Sequence, residues 1–308
     1  MKENVLVTRG LTKRYGHFVA LQPTDFAVPK RQIYGLVGKN GAGKTTLLRM
    51  ISGQTTPTMG EIELFGQTGE AALNKARRRT GAMIEAPSFF PYLTADQNLE
   101  YYRIQRGVAG KECVRELLEE VGLTEAGKKK FKDFSLGMKQ RLGLALALMN
   151  HPDLLLLDEP VNGLDPMGIV EFRNLILRLN KEKNITIVIS SHILSEMANL
   201  ATCYGFIDHG VMLEQVSALE LNARCRRYME LRVDNVEKAA AILEQKLACT
   251  EYEVLPGQMI HLYQYLEEPS RVSTLLIEEG VQLSSLEIKG ANLEDYFVQL
   301  VGEESRYA

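Results

Sequence analysis

Thirteen residues near the start of the chain, Gly35 to Leu47 (GLVGKNGAGKTTL), constrain it more than any other stretch. A short apolar run, Ile33 to Val37, feeds Gly38-Lys39-Asn40-Gly41-Ala42-Gly43-Lys44-Thr45, and an apolar helical pattern follows. This is the G-x-x-x-x-G-K-[ST] spacing, with a strand before it and a helix after it, as phosphate binding requires. Glycines let backbone N–H groups converge on an anion that side chains would hold off. The following helix presents its positive end to the same anion. On this reading Lys44 reaches the β- and γ-phosphates of a triphosphate, and Thr45 offers its hydroxyl to Mg²⁺.

A length of 308 residues suits one large domain or two moderate ones. The net charge of -3 gives no sign of bulk electrostatic attraction to nucleic acid, so no nucleic-acid partner is expected. Cys113, Cys203, Cys225 and Cys249 are scattered without a CxxC pair, which points to reduced thiols and away from a disulfide frame or zinc site. The opening MKENVLVTRGLTKRYG lacks the apolar core of a signal peptide. Leu142 to Met149 and Leu154 to Leu157 are too short to span a bilayer, which takes roughly 20 residues. Action at a membrane would therefore need another chain to do the spanning.

Alternation and turn residues predict strands over Val5–Thr8, Phe18–Val28, Gln32–Val37, Glu61–Phe65 and Gly81–Ile84, with a basic helix over Ala71–Arg79. The segment Glu85 to Pro91 holds two prolines and two phenylalanines and reads as a surface connection. Helices are expected from Thr94 and over Lys111–Val121, the latter with Val114, Leu117, Leu118 and Val121 on one face. FSLGMKQR (Phe134 to Arg141) runs into an apolar helix, Leu142–Met149, which His151-Pro152 stops. Asp153–Leu157 and Thr186–Ser190 read as strands of a parallel sheet covered on both faces, and Tyr204–Ile207 with Val211–Gln215 as a hairpin. From about Ala218 the pattern becomes β-α-β-β-α-β-α, a ferredoxin-like order without a catalytic constellation.

Asp158-Glu159-Pro160 follows four leucines, which puts two carboxylates at the end of a buried strand. Asp158 suits a Mg²⁺ shell, direct or through water. Glu159 is placed to polarise a water attacking the γ-phosphate. His192 follows another buried strand and should emerge at the same carboxyl edge, close enough to bond the γ-phosphate or orient Glu159. Tyr15 suits either adenine stacking or a half-exposed strand position.

Together these residues resemble the ATP-binding subunit of ABC transporters, over about Asn4 to Val216. GKNGAGKTT (Gly38 to Thr46) looks like its Walker A loop, FSLGMKQR like its signature, and LLLLDEP (Leu154 to Pro160) like Walker B with the catalytic glutamate. NGLDP (Asn162 to Pro166) looks like the D-loop and SSH (Ser190 to His192) like the switch histidine. The resemblance implies an α/β P-loop NTPase fold with antiparallel β and helical subdomains over 1–217, plus a small α+β ferredoxin-like accessory module over 218–308. It implies ATP and Mg²⁺ as ligands. Tyr15, Gly38, Asn40, Gly41, Gly43, Lys44, Thr45 and Thr46 then hold ATP, and Thr45, Asp158 and Glu85 the metal. Glu159 and His192 are catalytic. Ser135 and the Gly137 N–H reach across a head-to-tail dimer to the γ-phosphate of the second copy.

Two positions depart from the family pattern. Leu136 stands where the signature has its first glycine. Glu85 stands where the family has a glutamine, exchanging a neutral oxygen for a full charge that only accepts hydrogen bonds when ionised. IEAPSFFPYLTADQNL resembles a subgroup of exporters serving bacitracin resistance and lantibiotic self-protection through separate integral-membrane permeases. That implies a place on the cytoplasmic face of the membrane. Phe89, Phe90 and Tyr92 are then either an apolar anchor for the permease or a loop tucked onto its own domain. Import, or soluble action on ribosomes or DNA, is the alternative. Against the soluble form stand a single cassette and the lack of a heptad run.

Overall fold

The computed structural model describes residues 3–85, 88–126, 128–290 and 293–304. The chain forms two compact units, Met1–Ala218 and Leu219–Ala308.

The first unit opens with β1 (Asn4–Tyr15), β2 (Phe18–Pro29) and β3 (Ile33–Val37), then α1 (Lys44–Ser52) and β4 (Met59–Leu64). β1 runs well past the Thr8 expected from sequence. A register shift between Thr8 and Leu11 lets pairing with β2 resume beyond Gly10. The Gly10 N–H displaced from the ladder donates instead to Asp25 Oδ1 at 2.7 Å. An antiparallel sheet β2–β1–β4 results.

Next come α2 (Glu70–Ala76), β5 (Thr80–Met83), α3 (Ala95–Gln105), α4 (Glu112–Glu120), α5 (Leu136–Leu148), β6 (Leu154–Asp158), α6 (Pro166–Lys183), β7 (Thr186–Ser191), α7 (Leu194–Ala198), β8 (Cys203–Asp208) and β9 (Val211–Ser217). They build a six-stranded sheet, β5–β6–β7–β3–β8–β9, parallel except for the β8–β9 hairpin. His209 and Gly210 both take positive φ in that two-residue turn, as a right-twisted hairpin needs. Leu154 to Leu157 have no exposure at all, because both faces of β6 are covered. Each such leucine contributes about 1.5–3 kcal/mol by leaving water. This apolar run is therefore sheet core, and no helix among the described residues is long and apolar enough to cross a membrane.

Register decides where the chemistry falls. Asp158 pairs with Ser190 across β6–β7, and Val37 with Ser191 across β3–β7. The chain leaves β3, β6 and β7 at the same carboxyl edge, so three loops distant in sequence meet there.

After α8 (Ala218–Arg224), the second unit contains β10 (Tyr228–Val233), α9 (Val236–Leu247), β11 (Tyr252–Leu255), β12 (Met259–Leu262), α10 (Pro269–Glu278), β13 (Leu283–Lys289) and α11 (Leu293–Glu304). Its antiparallel sheet runs β11–β12–β10–β13, the ferredoxin-like order. Met229, Leu231, Ile260 and Leu262 line the core with Ala239, Leu243, Val272 and Leu276 of α9 and α10. The alternate β10 residues carry Tyr228, stacked on His261 at 4.0 Å, and Glu230, which takes Lys289 at 2.8 Å.

Candidate active site

The loop between β3 and α1 is packed closely at two of its glycines. A Cβ on Gly38 would lie 2.2 Å from the Ile207 carbonyl oxygen, and one on Gly43 would lie 2.9 Å from that of Ala20. Gly41 and Gly43 also take φ of +83° and +106°, where other residues are strained.

Lys44 is 4% exposed, and its ammonium donates to the carbonyls of Gly38 at 2.6 Å and Lys39 at 3.0 Å. A buried cation needs a counter-charge, and Glu159 Oε1 supplies it at 3.1 Å. The neighbouring Thr45 hydroxyl donates to Asp158 Oδ2 at 2.7 Å. The other Asp158 oxygen accepts from Ser190 Oγ at 2.6 Å, and that same hydroxyl accepts the Glu159 N–H at 2.9 Å. Glu159 sits in the left-handed region at φ 44°, which turns its side chain out of β6 toward the phosphate loop. Its second oxygen receives His192 Nδ1 at 3.0 Å and Asn162 Nδ2 at 3.3 Å.

Ser191 follows in β7. Its hydroxyl accepts the Ile193 N–H at 2.9 Å and reaches Glu196 Oε2 at 3.2 Å. Burial pushes the Glu196 carboxyl above its ordinary value. The Ser191 hydrogen bond and the nearby His192 oppose that rise, and the Glu159 charge adds to it.

A cavity of about 310 Å³ opens over the loop, bordered by Tyr15, Asn40, Gly41, Gly43, Lys44, Thr45, Thr46 and Glu159. Tyr15 is 47% exposed, with the Lys13 ammonium 4.8 Å from its ring centre. Asp158 and His192 join through Thr45 and Glu159, while Gly38 lies beneath, against Ile207. Ser135 and Gly137 lie elsewhere, in a cleft of about 510 Å³ shared with Gly163, Asp165 and Met167. There Ser135 caps α5, accepting the Met138 N–H at 3.3 Å. Leu136 rests on the turn after β6, where a Cβ at Gly163 would come within 3.1 Å of its Cδ2. Glu85, at φ 64°, is largely exposed and pairs with Arg49 of α1.

In the sequence Ser190 and Asn162 stand out only as letters of motifs, and Glu196 not at all. The signal for Ser190 is the parallel register, which sets it opposite Asp158. Of the two readings of the loop after β5, Phe89 fits the one in which it is tucked onto its own domain. It is buried against Tyr102 and Phe131, whereas Phe90 and Tyr92 are exposed.

The ABC transporter family model matches residues 21–162. The bacitracin transport ATP-binding protein of Bacillus licheniformis is 43% identical over 298 residues, covering 97% of both chains. The chain belongs to the ABC transporter ATP-binding family. A bacitracin transport ATP-binding protein of Enterococcus faecalis is 40% identical, again over 97% of each chain. The lantibiotic transport ATP-binding protein SrtF of Streptococcus pyogenes is 42% identical, over 68% of this chain and 90% of its own. Among solved structures, an ATP-binding subunit of an ABC transporter aligns with TM-score 0.62 and 27% identity, covering 71% of this chain and 92% of the other. A dimeric cassette bound to ADP and Pi aligns with TM-score 0.62 at 24% identity, over 69% and 98%. As a member of this family the chain is an ATP-binding, ATP-hydrolysing transporter subunit.

Proposed function

We propose that this subunit is the motor of an exporter that moves a peptide antibiotic of the bacitracin or lantibiotic kind through a separate membrane permease. The observation that carries the ATPase part is the convergence of Lys44, Thr45–Asp158 and Glu159–His192 on one cavity. The bacitracin and lantibiotic transport relatives support the substrate class. Those likenesses favour this reading over import or soluble action on ribosomes.

The roles follow from the contacts. The incoming γ-phosphate takes over the Lys44 ammonium, and Glu159 is released to accept a proton from the attacking water. His192 keeps the Glu159 carboxylate turned toward that water. Tyr15 stacks on the adenine, while Asn40, Thr46 and the backbone around Gly38, Gly41 and Gly43 cradle the phosphates. Thr45 and Asp158 present two hard oxygens side by side, a donor set that fits Mg²⁺. When bound, Mg²⁺ neutralises charge on the β- and γ-phosphates. Glu85 would add a third oxygen by leaving Arg49.

Ser135 and Gly137 line a cleft other than the one over the phosphate loop of their own chain, which is the arrangement a head-to-tail pair needs. Each would serve the nucleotide of the second copy, with the start of α5 as a second anion site. ATP would then join the two subunits, and loss of the γ-phosphate would release them. The exposed Phe90 and Tyr92 face the permease at the cytoplasmic side of the membrane. The segment 218–308 acts as an accessory interaction domain, separate from the ATPase chemistry of 1–217.

Purification from membranes in mild detergent tests this reading. A stoichiometric polytopic chain is expected to co-purify. Recovery of the subunit without one, or together with ribosomes, would overturn the transport assignment while leaving the ATPase chemistry intact.

A further inference from the structure

Five aromatic side chains form an unbroken series of ring contacts between the exposed loop after β5 and the signature helix. Tyr101 meets Tyr102 at 5.3 Å between centroids, and Tyr102 meets Phe89 at 5.7 Å, both edge-on. Phe89 meets Phe131 at 5.1 Å, and Phe131 meets Phe134 at 5.8 Å. Phe134 is buried and is followed directly by Ser135, the cap of α5.

At the outer end, Phe90 stands edge-on to Tyr101 at 4.7 Å, beside Tyr92, which is 68% exposed. The wholly buried Asn98 grips the Phe90 backbone on both sides, accepting its N–H at 2.8 Å and donating to its carbonyl at 3.1 Å. The backbone runs in parallel with the rings. Phe131 N–H donates to Leu93 O, and Lys132 N–H to Pro91 O, each at 2.9 Å. Closely packed rings, here edge-on as far as Phe89 and tilted at 55° and 50° through Phe131 to Phe134, resist independent displacement, because moving one opens a void or forces a clash at the next. The outer loop and the residue before Ser135 are thus parts of one packed body.

We propose that Phe89 and Phe131 are positioning residues for Ser135, tying its placement to the exposed Phe90–Tyr92 surface. This rests on the reading that Ser135 engages the nucleotide of a second copy. Whatever shifts one end must shift the other, since coupling between two sites is reciprocal. A membrane partner seated on Phe90 and Tyr92 then sets the angle at which Ser135 is offered to ATP.

The chain contains no tryptophan, so Tyr92→Trp places a single reporter at the outer end. In a Glu159→Gln background, Mg-ATP is expected to shift the emission of that lone indole, and Ser135→Ala to abolish the shift. Phe131→Leu should cut its amplitude by roughly half or more at matched dimer fraction, measured by sedimentation. Phe131→Tyr, which keeps a ring, should restore it. Phe89→Leu should act like Phe131→Leu and replaces it if that variant does not fold. Full amplitude in the leucine variants, or no shift in a parent that dimerises with ATP, would overturn the inference. A parent that binds ATP without dimerising would instead remove the Ser135 reading beneath it, and the inference would fall with that.

Discussion

The Ser190 hydroxyl lies 2.6 Å from Asp158 Oδ1, with no solvent exposure, and takes the Glu159 N–H on its other side. One buried hydroxyl therefore fixes both Walker B carboxylates: Asp158 by its oxygen and Glu159 by its backbone. Ser190→Ala leaves an acceptor and a donor unpaired, at a cost of about 1–3 kcal/mol in unfolding free energy. Turnover should fall while the KM for ATP changes little, since Lys44 and the phosphate loop are untouched. Denaturant titration and steady-state ATPase assays check the two parts.

Glu159 serves three partners, and its substitution separates them. Glu159→Gln should retain ATP binding and lower hydrolysis by a factor on the order of 10² to 10⁴. Lys44→Ala should instead weaken nucleotide affinity by roughly tenfold or more, because charge-assisted bonds to phosphate are lost. Equilibrium binding of labelled ATP beside single-turnover hydrolysis distinguishes the two. Near-normal turnover in Glu159→Gln would point to another base.

Tyr15 tests the adenine contact. Base stacking on an aromatic ring contributes about 1–3 kcal/mol, so Tyr15→Ala should weaken ATP binding by roughly 5- to 150-fold. Tyr15→Phe keeps the ring and should bind as the parent does. A competition assay between ATP and GTP is the sharper check, because loss of stacking alone should weaken both.

Glu85 and Arg49 form an exposed pair, and such pairs contribute about 0–1 kcal/mol, so Glu85→Gln should leave unfolding stability nearly unchanged. If Glu85 joins Thr45 and Asp158 at the metal, the Gln variant should need more Mg²⁺ for half-maximal ATPase activity. A Mg²⁺ titration at fixed ATP decides it. An unchanged requirement would mean that Glu85 stays with Arg49.

Burial raises the Glu196 carboxyl, so the folded chain holds that proton more tightly than the unfolded chain does. The stability it contributes is complete below the unfolded value of about 4.3 and is lost as pH rises through the higher folded value. Glu196→Gln carries no such loss. Relative to the parent, the variant should gain stability on going from about pH 4 to about pH 7. Urea unfolding of both proteins at several pH values measures the gap. A constant difference would show that Glu196 titrates normally.

The legible parts of this protein are those whose physics is local. Gly38 to Thr45 announces a phosphate loop because only glycine tolerates that backbone path. Leu154 to Leu157 announces a strand covered on both faces, and the glycine and proline breaks give the element order of both units. The continuation of β1 past Gly10 was hidden, because a bulge that keeps its partner looks in sequence like a strand end.

By itself the sequence determined the family, the order of the elements and the chemical types available at the carboxyl edge of the sheet. Only the tertiary structure decided who meets whom. Thr45 reaches Asp158 across 113 positions, and Glu159 stands between Lys44 and His192 because β3, β6 and β7 pair in one register. Tertiary packing also turned Phe89 inward, left Phe90 and Tyr92 outside, and put Arg49 beside Glu85. No local propensity encodes those choices. They follow from strand register and close packing, which exist only once distant segments share a sheet.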